Sequence, residues 1–172
     1  MSQKQDELYL QGIQEYGAAL DRLVRAYELD SDKQRDLLQE IHLALWRSFE
    51  NYEGRCSLRT WVYRVAHNTA TSYVIQQRRV NAPSLLSLDE VNSIPDPCDR
   101  EGHVRDRLVL DRLLDLIHRL KPPDREVILL YLEDLDAEAI GEITGMSAAN
   151  VRMHVHRVKT VLARRLHAGG TS

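Results

Sequence analysis

The sequence of 172 residues contains little glycine, proline or cysteine and no long apolar run. Its two cysteines, Cys56 and Cys98, are far apart and outside any metal-binding or redox spacing, which excludes a disulfide framework and fits a reducing compartment. No segment approaches the roughly 18 apolar residues of a membrane span, and the N-terminus lacks the charged-then-apolar pattern of a signal peptide. We therefore expect a soluble, cytoplasmic protein that does not insert into a membrane and holds no metal or other cofactor.

The spacing of apolar residues predicts an all-α fold. Apolar side chains recur every three or four residues, and no segment alternates in the manner of a strand. The prolines within residues 80–98 prevent a regular helix there. We therefore expect two small helical domains, at residues 1–79 and 100–172, joined by a flexible acidic linker at 80–99. The expected helices before the last segment are Leu8–Leu29 (one helix or two), Lys33–Phe49 with Ser31 or Asp32 as its cap, Leu58–Arg79 with Ser57 as its cap, and Arg100–Leu120.

The segment from Leu120 to Leu166 has the pattern of a helix-turn-helix. Paired prolines allow a helix to start near Asp124, and a second, short helical pattern begins at Asp136. Gly145 can supply the left-handed turn that ends this short helix, and Ser147 is a natural N-cap for the next one. A short helix, a glycine turn and a capped helix suit a protein that lays the last helix in the DNA major groove. The same pattern also occurs in all-α proteins that never contact DNA.

The distribution of charge favours nucleic-acid binding over that alternative. The whole chain has a net charge of −3, but no Asp or Glu follows Glu142 and none lies between Gly54 and Leu88. Both of these acid-free segments carry arginines, as expected for surfaces that approach phosphates. Residues 80–106 hold 2 basic and 6 acidic residues. One hypothesis is that this acidic segment folds over a basic face and weakens DNA binding by the free protein.

The length of chain between the two basic segments indicates how far apart two DNA sites contacted by this protein could lie. A compact chain of this length has a radius of gyration near ~16 Å, whereas DNA sites one helical turn apart are separated by ~34 Å. A linker of this length spans up to ~60 Å when extended. The arrangement therefore suits a protein that reads two separated DNA elements at once.

The two basic segments and the helices around them resemble the extracytoplasmic-function (group 4) sigma factors of bacterial RNA polymerase, members of the sigma-70 family. DLLQEIHLALWRSFENYEG, residues 36–54, is similar to the core-binding part of region 2, and SLRTWVYRVAHNTATSYVIQQRR, residues 57–79, to its promoter-melting and minus-10-reading part. The segment beginning LKPPDREVILLYLEDLDAEAIGEITG is similar to region 4, which reads the minus-35 element. The resemblance implies a protein that binds core polymerase, directs promoter-specific initiation and aids promoter melting.

The resemblance also implies roles for three groups of side chains. The core-polymerase contacts would be Asp36, Gln39, Glu40, Leu43, Trp46 and Arg47. The minus-10 contacts would be Arg64, Asn68, Thr71, Ser72, Arg78 and Arg79, with Asn68 near the pocket for an extruded base. The minus-35 contacts would be Asn150, Arg152, Met153, His156, Arg157 and Lys159.

Several apolar or aromatic residues and one histidine pair have an alternative interpretation. Trp61 and Tyr63 could stack on bases, although Trp61 falls in the apolar stripe and is better explained as core. Leu43 and Trp46 could pack against the N-terminal helices instead of a partner. His154 and His156 are two positions apart and diverge on a helix, which makes a poor metal site.

The resemblance to sigma factors also implies binding partners, and two other functions are compatible with a helix-turn-helix. The implied partners are core RNA polymerase, through its clamp and flap regions, promoter DNA, and an anti-sigma factor in the manner of the family; the free protein would be a monomer. The alternatives are a stand-alone helix-turn-helix regulator, for which no dimerisation heptad is present, and an all-α interaction protein. Enzymatic activity is not expected, because the chain has no phosphate loop, no paired catalytic carboxylates and no nucleophile with a base.

Overall fold

The computed structural model describes residues 3–80, 88 and 105–168, and every regular element in these ranges is helical. The N-terminal bundle consists of α1 (Gln3–Tyr27), α2 (Ser31–Ser48), a 3₁₀ turn (Phe49–Asn51) and α3 (Leu58–Val80). The C-terminal bundle consists of α4 (Arg105–Arg119), α5 (Pro122–Leu132), α6 (Ala137–Thr144) and α7 (Ala148–Ala168). The predicted all-α fold is confirmed, and α1 is one helix.

Local sequence signals explain most of the helix ends. Ser57 Oγ accepts the backbone N–H of Thr60 at 3.0 Å, and Ser147 Oγ accepts that of Asn150 at 3.2 Å, so both serines cap their helices as predicted. Gly145 ends α6 in the left-handed conformation, with φ of 79°. The expected cap of α2 was wrong. Asp30, one residue before Ser31, accepts the N–H groups of Asp32 and Lys33, because its carboxylate reaches two free donors at once.

The N-terminal bundle is held by an apolar core to which α1, α2 and α3 all contribute. Leu37, Ile41 and Leu45 of α2 are fully buried, and so are Val62 and Ala66 of α3. These side chains pack with the second half of α1, which contributes Leu20, Leu23 and Val24. Burial of a Leu or Ile side chain stabilises the fold by roughly 1.5–3 kcal/mol, so these helices are fixed chiefly by their packing.

A buried arginine fixes the connection between α4 and α5. Arg125 is 0% exposed and donates to the carbonyl oxygens of Ile117 at 3.2 Å and Leu120 at 2.9 Å, and also to that of His118. Its guanidinium lies 5.1 Å from the ring centre of Tyr27 in α1. The planar fork of arginine serves several carbonyls at the end of a helix, which a lysine could not do in the same geometry.

The two bundles pack against each other instead of standing apart. One apolar cluster runs from Leu20 and Leu23 of α1 to Ile117 of α4 and Ile128 of α5. A second cluster consists mainly of side chains from α5, α6 and α7, yet it includes Ala19 of α1 and Tyr63 of α3. The cores of the two bundles are therefore joined, because α1 and α3 each present apolar side chains on two sides. The predicted linker at 80–99 lies outside the described residues except for Val80, which is the last residue of α3, and Leu88, which is 5% exposed in the first cluster.

Candidate nucleic-acid interface

The helix-turn-helix presents one face of α7 to solvent. Val151 and Val158 are fully buried and hold α7 on the C-terminal bundle, while the capped start of the helix follows directly from the glycine turn. All six residues predicted to read the minus-35 element are exposed, and Met153 is 51% exposed despite its apolar side chain. The exposed set consists of Asn150, Arg152, Met153, His156, Arg157 and Lys159.

Two cations on this face are already oriented by neighbouring helices. A terminal nitrogen of Arg152 lies 2.5 Å from a carboxylate oxygen of Glu138 in α6. Lys159 Nζ donates to the hydroxyl of Tyr131 at 3.0 Å and lies 4.8 Å from the centre of its ring. Charged side chains held in this way lose less conformational entropy when they bind a phosphate or a base edge.

A further side-chain contact joins α7 to α5. His154 Nδ1 lies 2.7 Å from a carboxylate oxygen of Asp124, and both side chains are largely buried. Asp124, Glu138 and Tyr131, which contact side chains of α7, were not predicted from the sequence. Their partners lie 30, 14 and 28 positions away in the sequence, so helical spacing alone could not pair them.

The polar face of α3 is exposed only in part. Asn68 and Ser72 are exposed, while Arg64 and Thr71 are half-buried. Arg64 donates from a terminal nitrogen to the backbone carbonyl of Glu142 in α6 at 2.6 Å, so the C-terminal bundle covers this end of the face. The helix includes positions 78 and 79, but the side chains of Arg78 and Arg79 lie outside the described residues.

The aromatic residues of α3 are packed rather than free to stack. Tyr63 is 2% exposed, and its hydroxyl donates to Glu133 at 3.3 Å. Burial, followed by the negative charge of Glu133, raises the pKa of Tyr63 to about 12. Trp61 donates from its ring nitrogen to Ser48 at 2.9 Å and lies 5.2 Å from the ring of Tyr52. The suggestion that Tyr63 could stack on a base is therefore wrong for this packed arrangement. Trp61 is half-buried and packs against the first apolar cluster.

The predicted polymerase-binding face of α2 is open for the most part. Leu43 is 47% exposed, and the charged or polar members of the set that surround it are exposed too, namely Asp36, Gln39, Glu40 and Arg47. Trp46 differs, because it is half-buried and its ring nitrogen donates to Asp6 of α1 at 2.9 Å. The packing alternative raised for Trp46 is therefore real in the free chain.

Within the ranges that the structure describes, no group of three or more His, Cys, Asp or Glu side chains is arranged to hold a metal ion. Over the same ranges no helix is both long and apolar enough to cross a bilayer.

Comparisons with known proteins match both halves of the chain. The family model for sigma-70 region 2 matches residues 13–80, and the model for sigma-70 region 4 matches residues 110–162. The ECF RNA polymerase sigma-E factor of Haemophilus influenzae is 31% identical over 144 residues, which cover 76% of this chain and 73% of that protein. The RNA polymerase sigma factor YlaC of Bacillus subtilis is 25% identical over 162 residues, covering 94% of this chain and 91% of that one.

A solved structure agrees in fold. CnrH, in its complex with the cytosolic domain of CnrY, superposes with a TM-score of 0.66 at 19% identity, over 93% of this chain and 88% of CnrH. The similarity spans both bundles.

A stand-alone regulator or a generic interaction protein would not account for matches to both sigma regions in order along one chain. The helix pair α6–α7 belongs to region 4, and α2 and α3 belong to region 2. The protein is an initiation factor and not an enzyme. The chain therefore belongs to the extracytoplasmic-function sigma factors of the sigma-70 family, which direct promoter-specific transcription initiation by RNA polymerase.

Proposed function

We propose that the exposed face of α7 reads the minus-35 element of the promoter. The observation that carries this proposal is the coincidence of two facts: all six predicted contact residues are exposed on one helix, and no acidic residue follows Glu142 in the sequence. Arg152 and Arg157 are suited to guanine edges, and Asn150 to adenine. Lys159, held at Tyr131, is suited to a phosphate.

The minus-10 element is assigned to the polar face of α3. Asn68 and Ser72, which are exposed, would contact the extruded base and its neighbours, with Arg64 and Thr71 beside them. Taking a base out of the stack costs a few kcal/mol, which binding of the open strand to this face would supply. Arg78 and Arg79 remain proposed phosphate contacts on the strength of the sequence.

The exposed face of α2 is assigned to core polymerase. Leu43 surrounded by Asp36, Gln39, Glu40 and Arg47 is an apolar side chain with a polar rim, the usual anatomy of a protein interface. We assign this face to the clamp of the polymerase and the C-terminal bundle to its flap. Trp46 belongs to the same interface only if its contact with Asp6 is exchanged for one with polymerase.

These proposed roles also suggest where the protein acts, its oligomeric state and a further partner. We place the protein in the cytoplasm, where polymerase acts, as a monomer when free, with functional boundaries at residues 1–79, 80–99 and 100–172. Because the structurally similar CnrH is seen in complex with the cytosolic domain of CnrY, we propose that this chain too binds a protein of the anti-sigma class.

One experiment tests the main assignment. The purified protein is mixed with sigma-free bacterial core polymerase and a library of promoter-like duplexes, and the transcripts are sequenced. Discrete start sites that share two upstream elements, and that disappear without the protein, are the expected result. Absence of both polymerase binding and specific transcripts would contradict it.

A further inference from the structure

A cavity of about 190 Å³ lies where α1, α3, α4 and α5 meet. Its walls are mainly apolar, and three of the side chains that form them are buried, with Ile117 0%, Leu23 4% and Leu129 8% exposed. An apolar cavity of roughly 150 Å³ is enough to bind benzene. This cavity is therefore large enough for an apolar group of about eight non-hydrogen atoms.

The cavity reaches the surface beside two leucines. Leu110 of α4 is 54% exposed and Leu132 of α5 is 50% exposed, and both belong to the cavity wall. A leucine that lines a cavity and is also half exposed continues the apolar wall out to solvent. A ligand that entered here would remove apolar surface from water at the mouth as well as inside, which favours binding.

The charged side chains around the cavity leave one positive charge at its rim. Arg22 and Arg25 of α1 line the cavity together with one carboxylate, Glu133. Arg22 and Glu133 neutralise each other through two hydrogen bonds, at 2.6 and 2.7 Å. Arg25 is exposed and has no ion-pair partner among the residues that the structure describes. His67 also lines the cavity, but burial lowers its pKa to about 3, so it is neutral at physiological pH.

The size and chemistry of the cavity define the kind of ligand. A partner helix, with a diameter of ~10–12 Å, is too large for it. Small-molecule sites usually combine apolar walls with a few polar or charged groups that fix the orientation of the ligand. Apolar walls with a single unpaired cation at the rim therefore suit a small molecule that has an apolar body and one negative charge.

We propose that this cavity is a binding site for a small monocarboxylic acid, whose apolar body lies among Leu23, Leu113 and Leu129 and whose carboxylate pairs with Arg25. Of the described side chains assigned to promoter or polymerase contacts, none lines the cavity. The site is therefore separate from the proposed function and does not depend on it.

A pair of probe ligands tests the proposal on the free, full-length protein. Phenylpropionate has a phenyl ring, a two-carbon chain and a carboxylate, and its neutral amide has nearly the same shape without the charge. Calorimetric titration should give a Kd of ~1 mM or tighter for the acid, and the acid should bind ~2–5-fold more tightly than the amide, as expected for one exposed ion pair. No saturable binding of the acid up to ~10 mM, or equal affinity for acid and amide, would overturn the proposal.

A cavity-filling variant tests the location. Leu113→Phe enlarges a side chain of the cavity wall and should weaken binding of both probes by ~10-fold or more, because their space is taken. Leu116→Phe is the matched control, since Leu116 is a half-buried leucine of the same helix outside the cavity wall, and it should bind as wild type does. Helical content and urea unfolding show whether each variant folds, and Leu114→Phe replaces Leu113→Phe if the latter does not. Unchanged binding in a folded cavity-filling variant would place the ligand elsewhere and overturn the proposal.

A second variant tests the charge at the rim. Arg25→Gln should reduce the affinity for phenylpropionate to that for the amide and leave the affinity for the amide unchanged. Arg164→Gln, which removes an exposed arginine of α7, should keep the preference for the acid. Nuclear Overhauser effects from the ring protons of the probe to the methyl groups of Leu23, Leu113 and Leu129 are expected in wild type. A preference for the acid that persists in Arg25→Gln, or contacts only with other methyl groups, would overturn the proposed site.

Discussion

A terminal nitrogen of Arg152 on α7 lies 2.5 Å from a carboxylate oxygen of Glu138 on α6. Both side chains are more than half exposed, so the pair contributes little to the stability of the fold. The ion pair instead orients Arg152, because the carboxylate of Glu138 holds the guanidinium at the edge of the exposed face of α7. Glu138 thus orients a proposed DNA contact, although it is acidic and lies next to the surface that we propose approaches phosphates.

Substitution of Arg152 should affect sequence reading more than DNA affinity in general. Arg152→Ala should cost ~1–3 kcal/mol at the promoter base that it contacts and relax the preference there. Relative initiation from promoters with each of the four bases at every minus-35 position measures the effect. Arg164→Ala, which removes an exposed arginine near the far end of the same helix, should leave base preference unchanged. Equal loss at all promoters in Arg152→Ala would reduce its role to a phosphate contact.

Leu43 offers a cleaner test of polymerase binding than Trp46. Leu43→Asp removes an apolar contact from the exposed face of α2 and should weaken binding to core polymerase by ~10-fold or more, equivalent to at least ~1.4 kcal/mol. Leu10→Asp makes the same change at a position of α1 that is 65% exposed, and should leave binding unaltered. A titration monitored by fluorescence anisotropy compares the two variants. Similar weakening in both would show that the α2 face is not the interface. Trp46→Ala would be ambiguous, because it also removes the hydrogen bond to Asp6.

The sequence predicted the elements well and their mutual arrangement poorly, for a physical reason. Caps such as Ser147 and turns such as Gly145 depend on residues within a few positions of each other, where geometry is fixed by the backbone. The pair Arg22–Glu133 joins residues 111 positions apart, and no spacing rule covers such a contact. The candidate site shows the same division: the residues of α7 were named from the resemblance to sigma region 4 and are exposed, whereas the covering of Arg64 depends on how the bundles dock.

The buried histidine of α3 should make the protein sensitive to acid. Burial lowers the pKa of His67 to about 3, from an unfolded value near ~6.5. The unfolded state therefore takes up a proton as the pH falls below ~6.5 while the folded state does not, and the free energy of unfolding drops by up to ~1.4 kcal/mol per pH unit. This stabilisation is complete above the unfolded pKa and is lost progressively toward the folded one.

Urea unfolding of wild type and His67→Gln at pH 7.5 and 5.5 isolates this contribution. Burial raises the pKa of Glu126 to about 7, so Glu126 acts in the opposite sense between its unfolded value and pH 7; this term is common to both proteins and cancels in their difference. His67→Gln should be less stable than wild type at pH 7.5, because it disturbs the contact with Tyr27, but should lose less stability on acidification. An identical pH dependence in the two proteins would assign the acid sensitivity to other groups.

A glycine pair should separate a packing requirement from helix propensity. A Cβ at Gly141 in α6 would lie 2.7 Å from the backbone carbonyl oxygen of Met146, a distance that forces the helix-turn-helix to shift. A Cβ at Gly17 in α1 would meet only a side-chain atom of Ile13 at 3.8 Å, an ordinary contact. Gly141→Ala should therefore destabilise the protein by ~1–3 kcal/mol and impair minus-35 reading, whereas Gly17→Ala should stabilise it by roughly 0.5–1 kcal/mol. Chemical unfolding together with initiation from a minus-35-dependent promoter measures both effects. Full minus-35 reading by Gly141→Ala would mean that the turn between α6 and α7 adjusts without moving the exposed face of α7.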